Sequence, residues 1–248
     1  MVNVAWEHPA SRAILFETLQ RMMFARRYTR WMLEYLLPYA GDSVLEVGCG
    51  VGNLTPYFLQ AQQVVSVDAM AEAVRHVRQR WGHHAHLVPL VGDITDAATV
   101  RRLSAYAFDT VVFVNVLEHI RDDDVALTHA FDLLQPGGHL LVYAPAHPGL
   151  FGSLDVSLGH YRRYTPDTLV RKVTRAGLTP LFCRRMNLLG VLGWWANGRL
   201  WPQPIIPTFQ IRLFDLLVPL LRPAERALRA VWPQAPGLAL VCVARREV

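Results

Sequence analysis

Residues 43–55 read SVLEVGCGVGNLT. A short apolar, β-branched run at 44–47 leads into three glycines, Gly48, Gly50 and Gly52, and a helix-like pattern begins at Asn53. Strand, glycine turn and helix form the entrance to a nucleotide-type site. Glycine lets the backbone turn through positive φ and lets a ligand approach closely. The spacing is G-x-G-x-G, with Asn53 where a dinucleotide fingerprint has its third glycine, which argues against a nicotinamide oxidoreductase. Gly-Lys-Ser/Thr is missing, so the turn is no P-loop. Acids follow at the ends of the next two apolar runs, Asp68 after 64–67 and Asp93 after 87–91. A carboxylate at 68 can accept both hydroxyls of a ribose, and one at 93 can accept from an adenine amino group. A ribose partner and a base partner without a pyrophosphate cradle favour an adenosine ligand lacking phosphates.

Outward from that turn the chain alternates apolar runs with helical stretches. Strands are expected at 110–115 and 139–144, and helices at 70–81, 124–134 and 165–176. The last of these is capped by Thr165, has Pro166 at its first position and is closed by Gly177. This alternation predicts an α/β fold with a mostly parallel sheet and helices on both faces. Ligands of such sheets bind outside the carboxyl ends of the strands, so the residues just after each strand are the candidates.

The 248 residues are 52% hydrophobic and 18% charged, which excludes disorder. The net charge of +5 is carried by arginine, with Lys172 the one lysine. The arginines lie in scattered pairs rather than in a run interleaved with aromatics, so no nucleic-acid partner is expected. Cys49, Cys183 and Cys242 are odd in number and have no metal-ligand spacing. With no signal-peptide order at the N-terminus and no spanning apolar run, a cytoplasmic protein is expected.

Five motifs then agree in order and spacing: VLEVGCGVGNLT, the Asp68 strand end, GDI at 92–94, FDTVVFVNVLEHI at 108–120 and LLQPGGHLLVYAP at 133–145. Over roughly residues 20–184 the chain resembles class I S-adenosylmethionine-dependent methyltransferases, above all their bacterial small-molecule branch. The resemblance implies a Rossmann-like, seven-stranded sheet and S-adenosyl-L-methionine as cofactor. It implies that Gly48, Gly50 and nearby backbone hold the methionine part, that Glu46 and Asn53 also bind the cofactor, and that Asp68 holds the ribose. Met70 would lie against the adenine, Asp93 and Ile94 would read its edge, and Asn115 would contact the amino group. RRYTRWM at 26–32 is similar to the cofactor-capping helix of that branch, with Tyr28 and Trp31 closing over the sulfonium side.

Methyl transfer from a sulfonium is an in-line displacement in which the protein aligns the partners and excludes water. A base is needed only when the acceptor loses a proton. His119, after the fourth strand, and the His160–Tyr161 pair within DVSLGHYRRYT are the candidates. NVLEHI at 115–120 resembles the E-x-x-E-H metal motif of ubiquinone-type O-methyltransferases and small-RNA 2′-O-methyltransferases. Asn115 replaces its first glutamate, and hard divalent ions want carboxylate oxygens, so no metal is expected. His83, His84 and His86 are read as a surface turn.

One domain is expected, in four parts: an N-terminal helical cap (1–40), a cofactor-binding core (41–184), a hydrophobic helical insertion or lid (185–237) and a last strand (238–248). The hairpin between the last two strands normally needs about 2–5 loop residues. Here the segment holds Trp194, Trp195, Trp201 and Trp232 and an amphipathic stretch at 209–221. Its apolar surface has three destinations: a substrate pocket, a dimer interface or a membrane face. Between 208 and 221 only Arg212 is basic and Asp215 opposes it, which disfavours membrane contact. The expected role is a cap over a small, apolar acceptor methylated on O or C, with a homodimer as a compatible second use. The alternatives are an S-adenosylmethionine-binding protein without methyl transfer, such as a cyclase or scaffold, and a peripheral membrane methyltransferase acting on a lipid-linked substrate.

Overall fold

The computed structural model describes residues 9–200 and 204–248; residues 1–8 of the expected cap and Trp201 lie outside the described residues. Seven strands form one sheet: β1 (Ser43–Val47), β2 (Gln63–Asp68), β3 (Leu87–Val91), β4 (Phe108–Val114), β5 (Leu134–Pro145), β6 (Thr179–Met186) and β7 (Ala239–Arg245). Their order is β3-β2-β1-β4-β5-β7-β6, and β7 runs antiparallel to both its neighbours while β1 to β5 pair in parallel. The central strands read as near-continuous Val/Leu/Phe runs because both faces are covered. Leu45, Val65, Val111 and Phe113 pack into one layer, whereas Val44, Val64, Val112 and Leu141 pack into the other. Strand order reverses between β1 and β4, which opens a crevice at their carboxyl ends.

The helices are α1 (Pro9–Met22), α2 (Arg26–Leu33), α3 (Thr55–Phe58), α4 (Ala71–Trp81), α5 (Ala97–Leu103), α6 (Asp123–Leu133), α7 (Ser153–Leu158), α8 (Pro166–Arg175), α9 (Leu188–Trp195) and α10 (Thr208–Val231). Thr165 caps α8 through a capping box with Thr168, as its sequence position implies. The expected N-terminal helical cap is broken between α1 and α2, where Met23 and Phe24 are exposed. The helix-like pattern after Asn53 yields only one turn, α3.

Between β6 and β7 the chain builds α9, a π-helical turn at Ala196–Leu200, and α10. Its root is Asn187, buried and at φ 64, a left-handed conformation that asparagine tolerates. The Asn187 side chain accepts from the Gly190 amide at 2.8 Å and donates to the Tyr28 hydroxyl at 3.1 Å. The two carboxylates of α10 face inward: the Tyr28 amide donates to Asp215 at 2.9 Å and the Leu188 amide donates to Glu225 at 2.8 Å. Among the described residues no helix is long and apolar enough to cross a membrane.

Candidate active site

A cavity of about 880 Å³ opens at the strand ends and is roofed by α1, α2 and the insertion. At one end lie the glycine turn and the termini of β1, β2 and β3. Gly48, Gly50 and Gly52 all take positive φ, at 70°, 53° and 74°. The Gly48 amide donates to the Val67 carbonyl at 2.8 Å, and a Cβ on Gly48 would stand 2.4 Å from Val116. Asp68 is buried, and its two oxygens accept from the Gly50 amide at 2.9 Å and the Met70 amide at 2.8 Å. Burial raises its carboxyl above the ordinary range, and those two amides oppose the rise. A carboxylate oxygen has two acceptor directions, so each Asp68 oxygen keeps one. One oxygen of Asp93 is held by the Thr95 amide and hydroxyl, both at 2.8 Å.

The other end holds a titratable cluster. His160 Nδ1 is 2.8 Å from Asp155 Oδ1, and Arg163 Nε donates to the same oxygen at 2.7 Å. Burial alone would raise Asp155. The bond from His160 and the Arg163 guanidinium outweigh it and hold the acid below the usual carboxylate range. Burial lowers His160, and Asp155 works against that. The His119 ring stands edge-on to His160 with centroids 4.6 Å apart. Burial pushes His119 well below its ordinary value. It has a backbone hydrogen bond to Gly159, while its Nδ1 is buried without a partner. Two neutral imidazoles therefore meet in the cavity. Beside them Glu118 is fully buried with both carboxylate oxygens unpartnered, and burial raises it to about 8.

Tyr28, Gly48, Gly50, Asn53, Asp68, Met70, Asp93, Ile94, Asn115, His119 and His160 all line this one cavity. Three sequence candidates do not. Trp31 is buried in the apolar layer with Met32, Leu33 and Val218, where α2 meets α10, so it closes over nothing in the cavity. Glu46 points from β1 toward Thr55 and Ser66, whose hydroxyls donate to it at 2.8 and 2.6 Å. Tyr161 is not among the lining residues, and its amide donates to the Glu118 carbonyl at 2.8 Å. Asn53 lines the cavity but commits its amide to the Leu19 carbonyl at 2.7 Å, which ties α1 to the glycine turn. The Tyr28 hydroxyl is hydrogen-bonded to Tyr143 rather than left free over a ligand.

Glu118, His119 and His160 can each aim one ligand atom at a shared point, all three atoms lying within 4.8 Å of one another. His83, His84 and His86 sit ring against ring, tilted and edge-on, in the turn after α4, as a surface turn would allow.

Three lining residues carry no signal of their own in the sequence. Trp194 of α9 sits on Arg163, with the guanidinium 4.5 Å from its ring centroid. Tyr143 lies in the apolar second half of β5, LLVYAP, and Asn187 looks like an ordinary loop residue. Only the tryptophan-rich, apolar composition of the insertion as a whole pointed toward Trp194.

Residues 17–181 match the family model described as a methyltransferase domain. The chain is 30% identical over 154 residues to an uncharacterized 37.1 kDa protein in transposon TN4556 of Streptomyces fradiae, covering 59% of this chain and 43% of that protein. It is 29% identical over 111 residues to the mitochondrial ubiquinone biosynthesis O-methyltransferase of Rattus norvegicus, covering 42% of this chain and 31% of that enzyme. These matches span less than half the length of either relative. The fold is similar to that of the N-methyltransferase NodS from Bradyrhizobium japonicum WM9, solved with S-adenosyl-L-homocysteine: TM-score 0.58, 19% identity, 94% of this chain and 99% of that one.

Proposed function

As the chain belongs to the methyltransferase domain family, we propose that it transfers a methyl group from S-adenosylmethionine to a hydroxyl or activated carbon of a small, apolar acceptor. The observation that carries this reading is that one cavity joins an adenosine-type end to an acid–base end under an apolar roof. Its volume of about 880 Å³ is near the top of the range of roughly 300–1,000 Å³ that single small-molecule sites occupy.

The residues fit the cofactor. Asp68 keeps an acceptor direction on each oxygen for a vicinal diol, and its two backbone donors fix the carboxylate in place. The glycine turn exposes bare backbone beside it, Met70 and Ile94 supply apolar walls, and Asp93 offers an acceptor at the next strand end. S-adenosylmethionine, when bound, supplies an electrophilic methyl group on a sulfonium.

The chain's own contribution is alignment, exclusion of water and proton removal. Leu154, Leu158, Trp194, Ile206, Ile211 and Phe214 wall the acceptor end, which suits an apolar molecule. Asp155 holds the Nδ1 proton of His160, so Nε2 carries the lone pair that takes the acceptor proton. The imidazolium that forms is then stabilised by the buried carboxylate.

The test is calorimetry with S-adenosylmethionine and S-adenosylhomocysteine, followed by mass analysis of products from an acceptor screen. Binding of both with a mass gain of one methyl on an apolar acceptor supports the reading. Cofactor binding with a rearranged product and no mass gain would assign the chain to a cyclase instead. On the proposed reading, chelation by EDTA leaves the rate unchanged, because Glu118, His119 and His160 act without an ion.

A further inference from the structure

Helix α10 is apolar on both sides. Ile211 and Val218 face the core, with the inward-turned Asp215 and Glu225 on the same side. On the outside, Phe209, Leu213, Leu216 and Leu220 are 67%, 53%, 60% and 71% exposed. Their spacing of four, three and four residues puts them on one line along the helix. Pro223, Ala224, Ala227 and Val231 continue that line to the C-terminal end, so no charge interrupts it over six turns. Exposed Leu189, Leu192 and Trp195 of α9, and Met23 and Phe24 of the α1–α2 turn, add to the apolar surface.

Apart from one ion pair, the exposed charges that the insertion and residues 23–34 bring to this face are basic. Residues 187–237 contain five arginines and two acids, and both acids are buried and bonded inward. Arg212 and Arg226 are exposed along the flank of the stripe. Arg212 lies over the Phe24 ring at 4.1 Å, which places the α1–α2 turn beside that flank. Helix α2, packed alongside, adds exposed Arg26, Arg27 and Arg30. The one exposed acid of residues 23–34 is Glu34, and Arg222 neutralises it at 2.8 Å.

We infer that this face docks on the surface of an anionic lipid bilayer, with the stripe in the headgroup–acyl boundary and the arginines against lipid phosphates. An apolar face whose flanking charges are basic apart from one ion pair complements such a surface. A second copy of the same face would bring like charges together across a two-fold axis, which disfavours self-association. The sequence window at 208–221 hid this, because the structure continues the helix to Val231 and buries the acid that opposed Arg212. Gln210 and Phe214, one residue on from the stripe, and Ile211 on the opposite side all line the cavity. An apolar acceptor therefore has a short route from the bilayer into it.

The test is sedimentation of the full chain with vesicles of phosphatidylcholine, with and without phosphatidylglycerol. Cosedimentation with the anionic vesicles, weakened by salt, is expected. Leu216→Glu/Leu220→Glu should lower it by about tenfold or more, with cofactor affinity and thermal midpoint unchanged. Arg212→Glu/Arg226→Glu, which leaves the stripe intact, should abolish the preference for anionic lipid. No binding to either vesicle overturns the proposal, and so does equal binding to both. Light scattering that shows a dimer dissociated by Leu216→Glu/Leu220→Glu, without vesicle binding, would assign the face to a second copy instead. No step of the assay depends on methyl transfer, so its failure leaves the catalytic reading standing.

Discussion

The indole Nε1 of Trp194 donates to Asp155 Oδ2 at 3.3 Å, and Asp155 Oδ1 in turn accepts from His160 at 2.8 Å. A residue of the insertion thus holds the carboxylate that orients the candidate base. With Arg163 clamped between Asp155 and the Trp194 ring, the cap and the acid–base end form one unit. Trp194→Leu is expected to lower turnover roughly tenfold, the size of one hydrogen bond to a charged group. Affinity for S-adenosylhomocysteine should not change, because the adenosine end lies across the cavity. Equal loss of both would show that α9 supports the whole pocket rather than the base.

The pair itself predicts a pH profile. Burial lowers His160, and Asp155 partly offsets the fall. The base is active when neutral, so kcat/KM should rise with pH through an apparent pKa below the ordinary histidine value and then level off. In Asp155→Asn the imidazolium loses its partner. The rising limb should move to lower pH while the plateau drops by about 10²-fold. An unchanged plateau would mean that transfer needs only alignment.

The site was legible in the sequence wherever a candidate directly follows a strand of the parallel sheet. Asp68, Asp93, Asn115 and His119 sit at strand ends, and topology alone sends such residues into the crevice. Glu46 stays off the lining because it lies inside β1, where side chains alternate between layers, and its layer is the one holding Ser66 and Thr55. Tyr28 and Trp31 share one short helix. Which of them turns to the cavity is decided by α10, an element almost two hundred residues away whose packing no local pattern records. The insertion's length and apolarity were visible, but the burial of Asp215 and Glu225, and with it the sign of the outer face, exists only after packing. Tyr161 follows His160 on an irregular segment without a period from which to read direction.

Glu118 links the site to stability. Burial raises its folded pKa to about 8 against an ordinary 4.5. Its folded-state pKa lies above the unfolded one, so its contribution is fully present below about 4.5 and is lost as pH rises through about 8. Each pKa unit corresponds to about 1.4 kcal/mol, so the loss is on the order of 4–5 kcal/mol across that window. Glu46, raised to about 7 by burial, acts in the same direction. Thermal melts of Glu118→Gln, whose side chain stays neutral, should decline less between pH 5 and 9 than those of the wild type. Parallel curves would mean that Glu118 is ionised throughout.

The glycine turn can be tested apart from the chemistry. Gly48 stands at φ 70, where a side chain costs about 1 kcal/mol or more. Its Cβ would meet the Val116 side chain at 2.4 Å, an overlap that costs roughly 1–3 kcal/mol to relieve. Relief requires moving either the turn or the segment after β4 that carries Asn115 and Glu118, and both line the cavity. Gly48→Ala should therefore lower the thermal midpoint by several degrees, at about 2–4 °C per kcal/mol for a chain of this size. It should also weaken S-adenosylhomocysteine binding by about tenfold or more. Gly149→Ala is the matched control, since a Cβ there meets nothing within 4 Å, and it should leave both quantities unchanged. If Gly48→Ala loses stability yet keeps full affinity, the turn shapes the fold without cradling the ligand.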